Sequence, residues 1–386
     1  MERERFAGLG GLVGQRQVVM LLALVFFALA LICNLLIIVG SVPDFRAFWF
    51  GLLAAILPAL LYAALILAFD RYEPEPWRNL LGAFGWGALI ATLFSILFGA
   101  LADDILKAIW GADLGGQLTL MVGRPLVEES FKGLALLLLL LLFRGEFDGI
   151  LDGLIYGALI GLGFAMTENV LYLGQAFLND GLGGLGQLFL AREVFGGLGH
   201  ALYTGTIGAA VGWARLRYGR GWLRLVVPVA GWALAVTQHS LWNSSLTALA
   251  PLRVGFPQVL AIAIQTVIFL TPGLTILAAV AIRSLRAESR LLREHLADEV
   301  ARGTLTGEEY DTLTHERRHQ AALFAAFRAG GVRRWSLQQR FFQAAAELAF
   351  CKEHARQGEP QAPELFGAPE DEFRARLATL RTELAG

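Results

Sequence analysis

Cysteine is nearly missing from this chain. Its two thiols, Cys33 in an apolar run and Cys351 in a polar tail, cannot make a disulfide framework or a cysteine-built metal site. Both read as small apolar fillers. Charge is scarce as well: 17% of the 386 residues are charged against 56% apolar, and mean hydropathy is +0.56. Such a composition does not describe two or three soluble domains. The formal net charge of −1 gives no electrostatic case for a nucleic-acid partner. No repeat of solenoid period is present, and no small-residue cleavage site follows the first apolar run, which is too long for a signal peptide.

What the chain does have is apolar length. About 20 apolar residues cross a bilayer, and eight candidate spans fit, near 17–41, 47–69, 80–101, 118–143, 149–176, 187–214, 224–249 and 258–282. Arg3, Arg5 and Arg16 precede the first span. Arg71 and Arg78, Arg144, the group Arg215, Arg217, Arg220 and Arg224, and then Arg283, Arg286, Arg290 and Arg293 fall on the same side. The opposite loops hold only Arg46, Lys107 and Arg253. The positive-inside rule then places both termini in the cytoplasm of a multi-pass cell-membrane protein.

Past residue 283 the composition turns to Arg, Glu, Ala and Leu with helical charge patterning. Leu291, Leu292, His295, Leu296 and Glu299 recur at helical spacing. Residues 303–307 interrupt it, and Thr306 with Glu308 and Glu309 restarts a helix. Gly330 and Gly331 mark a turn, and Pro360, Pro363 and Pro369 a linker. The expectation is an all-α membrane helix bundle of about eight transmembrane helices over 1–283, with a small helical cytoplasmic region over 284–386.

Polar groups inside the spans carry the functional reading. A carboxylate at the centre of a bilayer costs roughly 2.5–3.5 kcal/mol on insertion scales, and the fourth span carries two in succession, Glu128 and Glu129. Arg124, Glu128 and Lys132 lie on one helical stripe. The fifth span holds Glu168 and Asn169, the sixth His200, and the seventh His239 and Asn243 four residues apart. Glu128, Glu168, His200 and His239 each lie about 8–15 residues from the non-cytoplasmic end of their span, a common depth of roughly 12–22 Å. A carboxylate held between cations is balanced to take a proton from water. Neutral His239 and Asn243 can donate to the oxyanion formed when water attacks a carbonyl, and Gly196, Gly197 and Gly199 leave room for a substrate backbone.

Plainer readings stand beside these. Arg124, Glu128 and Lys132 also suit a structural ion network, His239 with Asn243 interhelical hydrogen bonding, and His200 ordinary packing. Arg192 and Glu193 read as interfacial, Asp148 and Asp152 as helix-capping, and Asp103 and Asp104 as loop acids. Zinc on Glu128, Glu129, His200 and His239 is an open alternative; no cofactor is certain. His315-Glu316-Arg317-Arg318-His319 fits HExxH, but its arginines and its place in the polar tail favour a charged surface helix.

The same residues resemble the PrsW family of multi-pass membrane proteases, relatives of the type II CAAX prenyl endopeptidases and bacteriocin-processing enzymes. The family's EExxK motif appears at 128–132, its GxGFAxxEN motif at 161–169, a histidine followed by small residues and threonine at 200–204, HxxxN at 239–243, and DxxEPEP at 70–76. The resemblance covers about residues 65–280. It implies peptide-bond cleavage in membrane-associated proteins, with the glutamates and histidines catalytic and an anti-sigma factor as one substrate of the family. Where the CAAX relatives carry the histidine of FxxxH, this chain has Glu168, as the PrsW pattern does; whether His200 supplies that imidazole is left open.

The expected function is therefore an intramembrane endopeptidase. Glu128, Glu129, Glu168, His200, His239 and Asn243 are its catalytic candidates, with Arg124, Lys132 and Asn169 in support. Glu128 is favoured as base because cations flank it on both sides. The partners are a membrane-protein substrate and the lipid bilayer, with no oligomeric state assigned. A proton-coupled transporter using the same carboxylates is the alternative, although no symmetry-related halves support it.

Overall fold

The computed structural model describes residues 2–72, 74–142, 147, 149–215, 221–248, 256–356 and 369–385, with backbone alone for 2–20, 246, 256–258 and 354. The expectations for Glu73, Arg144, Asp148, Arg217, Arg220, Arg253, Pro360 and Pro363, and for the side chains of Arg3, Arg5 and Arg16, lie outside this description. Among the described residues every regular element is a helix. In hydrocarbon a helix satisfies its own backbone polar groups, so this is what the apolar runs require.

In chain order, α1 covers Glu2–Ser41 and α2 covers Phe45–Leu67. The segment α3 spans Trp77–Trp110 through a π-turn at Trp86–Ala91. A short helix Ala112–Leu118 and a π-turn Thr119–Gly123 lead into α4, Arg124–Leu142. Then come α5, Ile150–Phe189; α6, Gly199–Arg215; and α7, Leu223–Ala248. Phe256–Gln265 and Thr266–Leu270 precede α8, Thr271–Ala301. Beyond it lie α9, Gly307–Thr314; α10, Glu316–Arg356; and α11, Glu370–Ala385.

By length and apolarity six segments can cross a membrane, against about eight in the sequence reading. The difference has two physical sources. Ile150–Arg215 is one continuous apolar stretch of 66 residues that holds two expected spans. Arg124–Leu142 carries Arg124, Glu128, Glu129 and Lys132, too many charges for an apolarity count.

The helix α5 is the centre of the bundle. In the 18-residue apolar core of its stretch 83% of residues are buried, whereas in the corresponding cores of the other five crossing segments the share ranges from 17% to 39%. Gly181, at φ 60 and ψ −147, breaks α5 beside Asp180, a backbone geometry that glycine adopts without steric penalty. The chain then returns as α6. Gly153, Gly157 and Gly161, four apart, meet Gly208, Thr204 and His200 backbone to backbone. A Cβ at Gly208 would stand 1.8 Å from the Gly153 carbonyl oxygen, and one at Gly161 only 2.1 Å from that of His200. Small residues let two helices approach this closely without a hydrophobic drive between them. On its other face α5 meets α3, where a Cβ at Gly87 would stand 1.9 Å from Ile160 O. His200 is thereby held at a fixed height against α5.

The helix α8 leaves the membrane without interruption and supplies Leu292 and Leu296 to the core of the C-terminal region, with Phe341, Phe342, Phe373 and Leu377. Gly303 (φ 75) ends the helical run, and Thr306 and Glu309 cap α9 reciprocally. Gly330 and Gly331 break α10. Glu299, fully buried, is held by Arg374 Nη2 at 2.8 Å and Lys352 Nζ at 2.6 Å. Tyr72, from the loop after α2, belongs to this same core, and Arg71 pairs with Glu316. The C-terminal region is therefore seated on the loop that carries the EPEP motif.

Candidate active site

The π-turn at Thr119–Gly123 and the proline at 125 start α4 so that Glu128, Glu129 and Lys132 all face inward and are buried. Glu129 makes three bonds: Oε1 accepts from Lys132 Nζ at 2.8 Å and lies 3.0 Å from His239 Nδ1, and Oε2 accepts from Thr204 Oγ1 at 3.0 Å. Lys132 Nζ also lies 2.8 Å from His200 Nδ1 and 3.6 Å from Glu128 Oε2. His200 turns its Nε2 to Glu168 Oε2 at 3.2 Å. Glu168 in turn pairs with Arg192. Acids from α4 and imidazoles from α6 and α7 thus meet in one buried cluster.

Glu128 behaves differently from its neighbour. Its Oε2 is buried without a hydrogen-bond partner, 3.9 Å from His239 Nε2. Glu128 lines a cavity of about 430 Å³ whose wall also includes Glu168, His200, His239 and Asn243. Arg124 lines the mouth and reaches Tyr172 OH at 3.4 Å, so the cation beside Glu128 is Lys132 and not a pair of flanking charges. Asn243 Nδ2 donates to Leu120 O at 3.0 Å, tying α7 to the π-turn that begins α4. Gly196 and Gly199 line the cavity; a Cβ at Gly197 would stand 2.2 Å from Glu193 O.

Arg192 and Glu193, read from sequence as interfacial, are drawn into the site. Arg192 Nε donates to Asn169 Oδ1 at 2.5 Å, and Asn169 Nδ2 donates to Glu193 Oε1 at 2.7 Å. The break in α5 returns the chain steeply enough to bring these side chains back over Glu168. Tyr203 escaped notice in the sequence, where it is one aromatic in an apolar helix. Its ring stacks on His239 with centroids 4.7 Å apart. Its hydroxyl is buried without a partner on the wall of the cavity.

The HExxH segment of the C-terminal region is spent elsewhere. His315 Nδ1 lies 2.9 Å from the Asp311 carbonyl, Glu316 pairs with Arg71, and His319 packs against Tyr72 and Phe342. Among the described residues one group of histidines and acids converges as metal ligands do: Glu128, Glu129, His200 and His239, with one ligand atom of each within 4.8 Å of the others. Two carboxylates and two imidazoles are a donor set zinc accepts, and the unpartnered Glu128 oxygen is an atom a cation would satisfy. The His200–Glu168 contact supplies the carboxylate that commonly orients a metal-binding imidazole. The residues fit such an ion.

This constellation lies within residues 75–271, just over half of the chain, which match the model of the PrsW family intramembrane metalloproteases. The chain belongs to the PrsW family. Among its relatives, Protease PrsW of Clostridioides difficile (strain 630) is 31% identical over 158 residues, covering 40% of this chain and 62% of the relative. Protease PrsW of Geobacillus kaustophilus (strain HTA426) is 28% identical over 162 residues, 42% of this chain and 65% of the relative. That of Bacillus subtilis (strain 168) is 30% identical over 122 residues, 31% and 52% of the two chains. The chain thus spans less than two thirds of each PrsW relative. No solved structure matches it.

Proposed function

We propose that this chain is an intramembrane endopeptidase that hydrolyses a peptide bond in membrane-associated proteins, with both of its own termini in the cytoplasm. The observation that carries the reading is the meeting of Glu128, Glu129, His200 and His239, from three helices, in one cluster, of which Glu128, His200 and His239 line a single cavity. The family membership supports it. The transporter alternative finds no support in the comparisons, whose relatives are proteases.

The two glutamates divide the work. Glu129, saturated by Lys132, His239 and Thr204, is a fixed negative charge that orients the His239 ring. Glu128, which lines the cavity and keeps an oxygen without a hydrogen-bond partner, takes the proton from water as the water oxygen bonds to the scissile carbonyl carbon. The electron pair displaced onto the carbonyl oxygen is met by Tyr203 OH and by the second N–H of Asn243. When the C–N bond breaks, Glu128 returns its proton to the leaving nitrogen. Glu168 holds His200 in orientation, and Arg192 and Asn169 hold Glu168 and Glu193 in turn. A zinc ion held by the cluster of Glu128, Glu129, His200 and His239 would polarise the carbonyl and acidify bound water.

The substrate class is a single-span regulatory protein such as an anti-sigma factor. Co-expression of such candidates with the wild-type chain and with Glu128→Ala, Glu129→Ala and His239→Ala tests the reading. Cleavage by wild type alone supports it; cleavage by all three variants removes it.

A further inference from the structure

The apolar surface left uncovered by this chain continues beyond its membrane-crossing helices. On α2, Leu57, Leu61 and Leu65 are 64%, 67% and 51% exposed; spaced four apart, they form one lipid-facing stripe. At the end of that helix the stripe runs into a groove of about 590 Å³, where Leu67 and Ala68 are joined by Phe324, Phe327 and Trp335 of α10. Phe324 is 64% exposed, and Val332, just past the glycine break, 68%. Aromatic surface of this extent is a liability in water, yet this one sits at the level where α2 leaves the membrane.

Charge points the same way. From 316 to 346 the chain carries six arginines and a single acid, Glu316, and that acid is engaged by Arg71. Arg328 and Arg333 flank Phe327 and Val332 across the turn, are exposed, and sit in no ion pair among the described residues. Exposed aromatic residues interleaved with unpaired arginines are the composition of an element that lies in a bilayer interface.

We propose that the segment 316–346 is a membrane-surface binding element, its occupant the anionic phospholipid of the leaflet beside the Leu67 end of α2. The exposed aromatic side chains enter the headgroup region as a continuation of the α2 stripe, and the arginines bind lipid phosphate. The contact ties the C-terminal region to the bilayer at a second point besides α8. Since that region is also seated on Tyr72 and Arg71, lipid charge acts on the loop that begins α3.

The test uses the full-length protein with Cys33 and Cys351 replaced by alanine and one new cysteine carrying an environment-sensitive fluorophore. The label is placed at Phe327→Cys or, as control, at Arg302→Cys, just past the end of α8 and about 28 Å from Arg283 by helix rise. The protein is reconstituted in phosphatidylcholine vesicles with or without phosphatidylglycerol, each containing spin-labelled lipid. The label at 327 is expected to lose about half its emission to the spin label when phosphatidylglycerol is present, and several-fold less without it or in high salt. Arg328→Gln with Arg333→Gln, changes confined to the surface, abolishes the lipid-charge dependence. Equal quenching at 327 and 302 overturns the proposal, as does quenching indifferent to phosphatidylglycerol. A label at 327 shielded from water but untouched by spin-labelled lipid also overturns it, since a second copy of the chain would then cover the groove.

Discussion

The Lys132 ammonium donates to Glu129 Oε1 over 2.8 Å, and neither side chain has any exposure to solvent. Each charge alone would be costly in a low-dielectric interior; together they are tolerable, and removing one strands the other. The same ammonium lies 2.8 Å from His200 Nδ1, so Lys132 would compete with a divalent cation, were one bound by the proposed cluster, for two of its ligand atoms. Lys132→Met is expected to abolish proteolysis while zinc binding, read by titration calorimetry on the detergent-solubilised protein, becomes tighter. Zinc affinity unchanged or weakened would remove the competition.

Tyr203 presents an unpartnered hydroxyl beside His239. Tyr203→Phe deletes one oxygen from a packed ring, so folding and KM are expected to hold while kcat falls by roughly 10²–10³, the cost of one oxyanion donor. A fall in KM and kcat together, or no fall, would place the hydroxyl outside the reaction.

Helix contact at the centre of the bundle depends on atoms that are not there. A Cβ at Gly208 would stand 1.8 Å from Gly153 O, whereas Gly186 has open space around it. Gly208→Ala should cost at least the 1–3 kcal/mol of overpacking and separate α5 from α6; Gly186→Ala should leave the thermal unfolding midpoint unchanged. Equal midpoints for the two variants would contradict the packing account.

Two groups outside the membrane give opposite pH signatures. Burial raises the Asp70 carboxyl to about 7, opposed by the Glu75 N–H that it accepts and reinforced by Asp152. The folded state then holds a proton the unfolded chain has lost, so stability falls as pH rises from about 4 to about 7. Asp70→Asn should flatten that slope. Burial between Tyr72 and Phe342 lowers His319 to about 4, so its contribution is lost as pH falls from about 6.5 towards 4. His319→Leu should remove this acid-side loss from hydrogen-exchange protection of α10.

Much of the bundle is legible in the apolar runs, because a backbone in lipid has no choice but to be helical. The depth argument also brought Glu128, Glu168, His200 and His239 to one layer, because helix rise converts residue counts into heights. Rotation about each helix axis is what height does not carry. Arg124 shares a stripe with Glu128 on paper, yet turns to Tyr172. Arg192 and Glu193 look interfacial until the break at Gly181 folds them back over Glu168 and Asn169. Tyr203 carries no pattern at all, since only the missing partner of its hydroxyl distinguishes it. The C-terminal region's seat on Tyr72 joins residues more than 200 apart, which no local periodicity encodes.

In that region, Glu299 is fully buried and chelated by Arg374 through two nitrogens, 2.8 Å and 3.0 Å away. Glu299→Gln leaves Arg374 and Lys352 facing a neutral amide and is expected to cost about 3–5 kcal/mol of that core's stability. Limited proteolysis between α9 and α11 would report it. Wild-type resistance in the variant would show that the ion cluster is dispensable.

The most direct measurement is hydrolysis of a single-span substrate by the purified chain in vesicles, with Glu128→Gln compared against wild type in the same lipid. Because Glu128 lines the cavity and keeps an oxygen with no hydrogen-bond partner, its amide should bind substrate as before and cut it roughly 10²–10⁴-fold more slowly, the usual contribution of a general base. Cutting by Glu128→Gln at the wild-type rate would contradict the account.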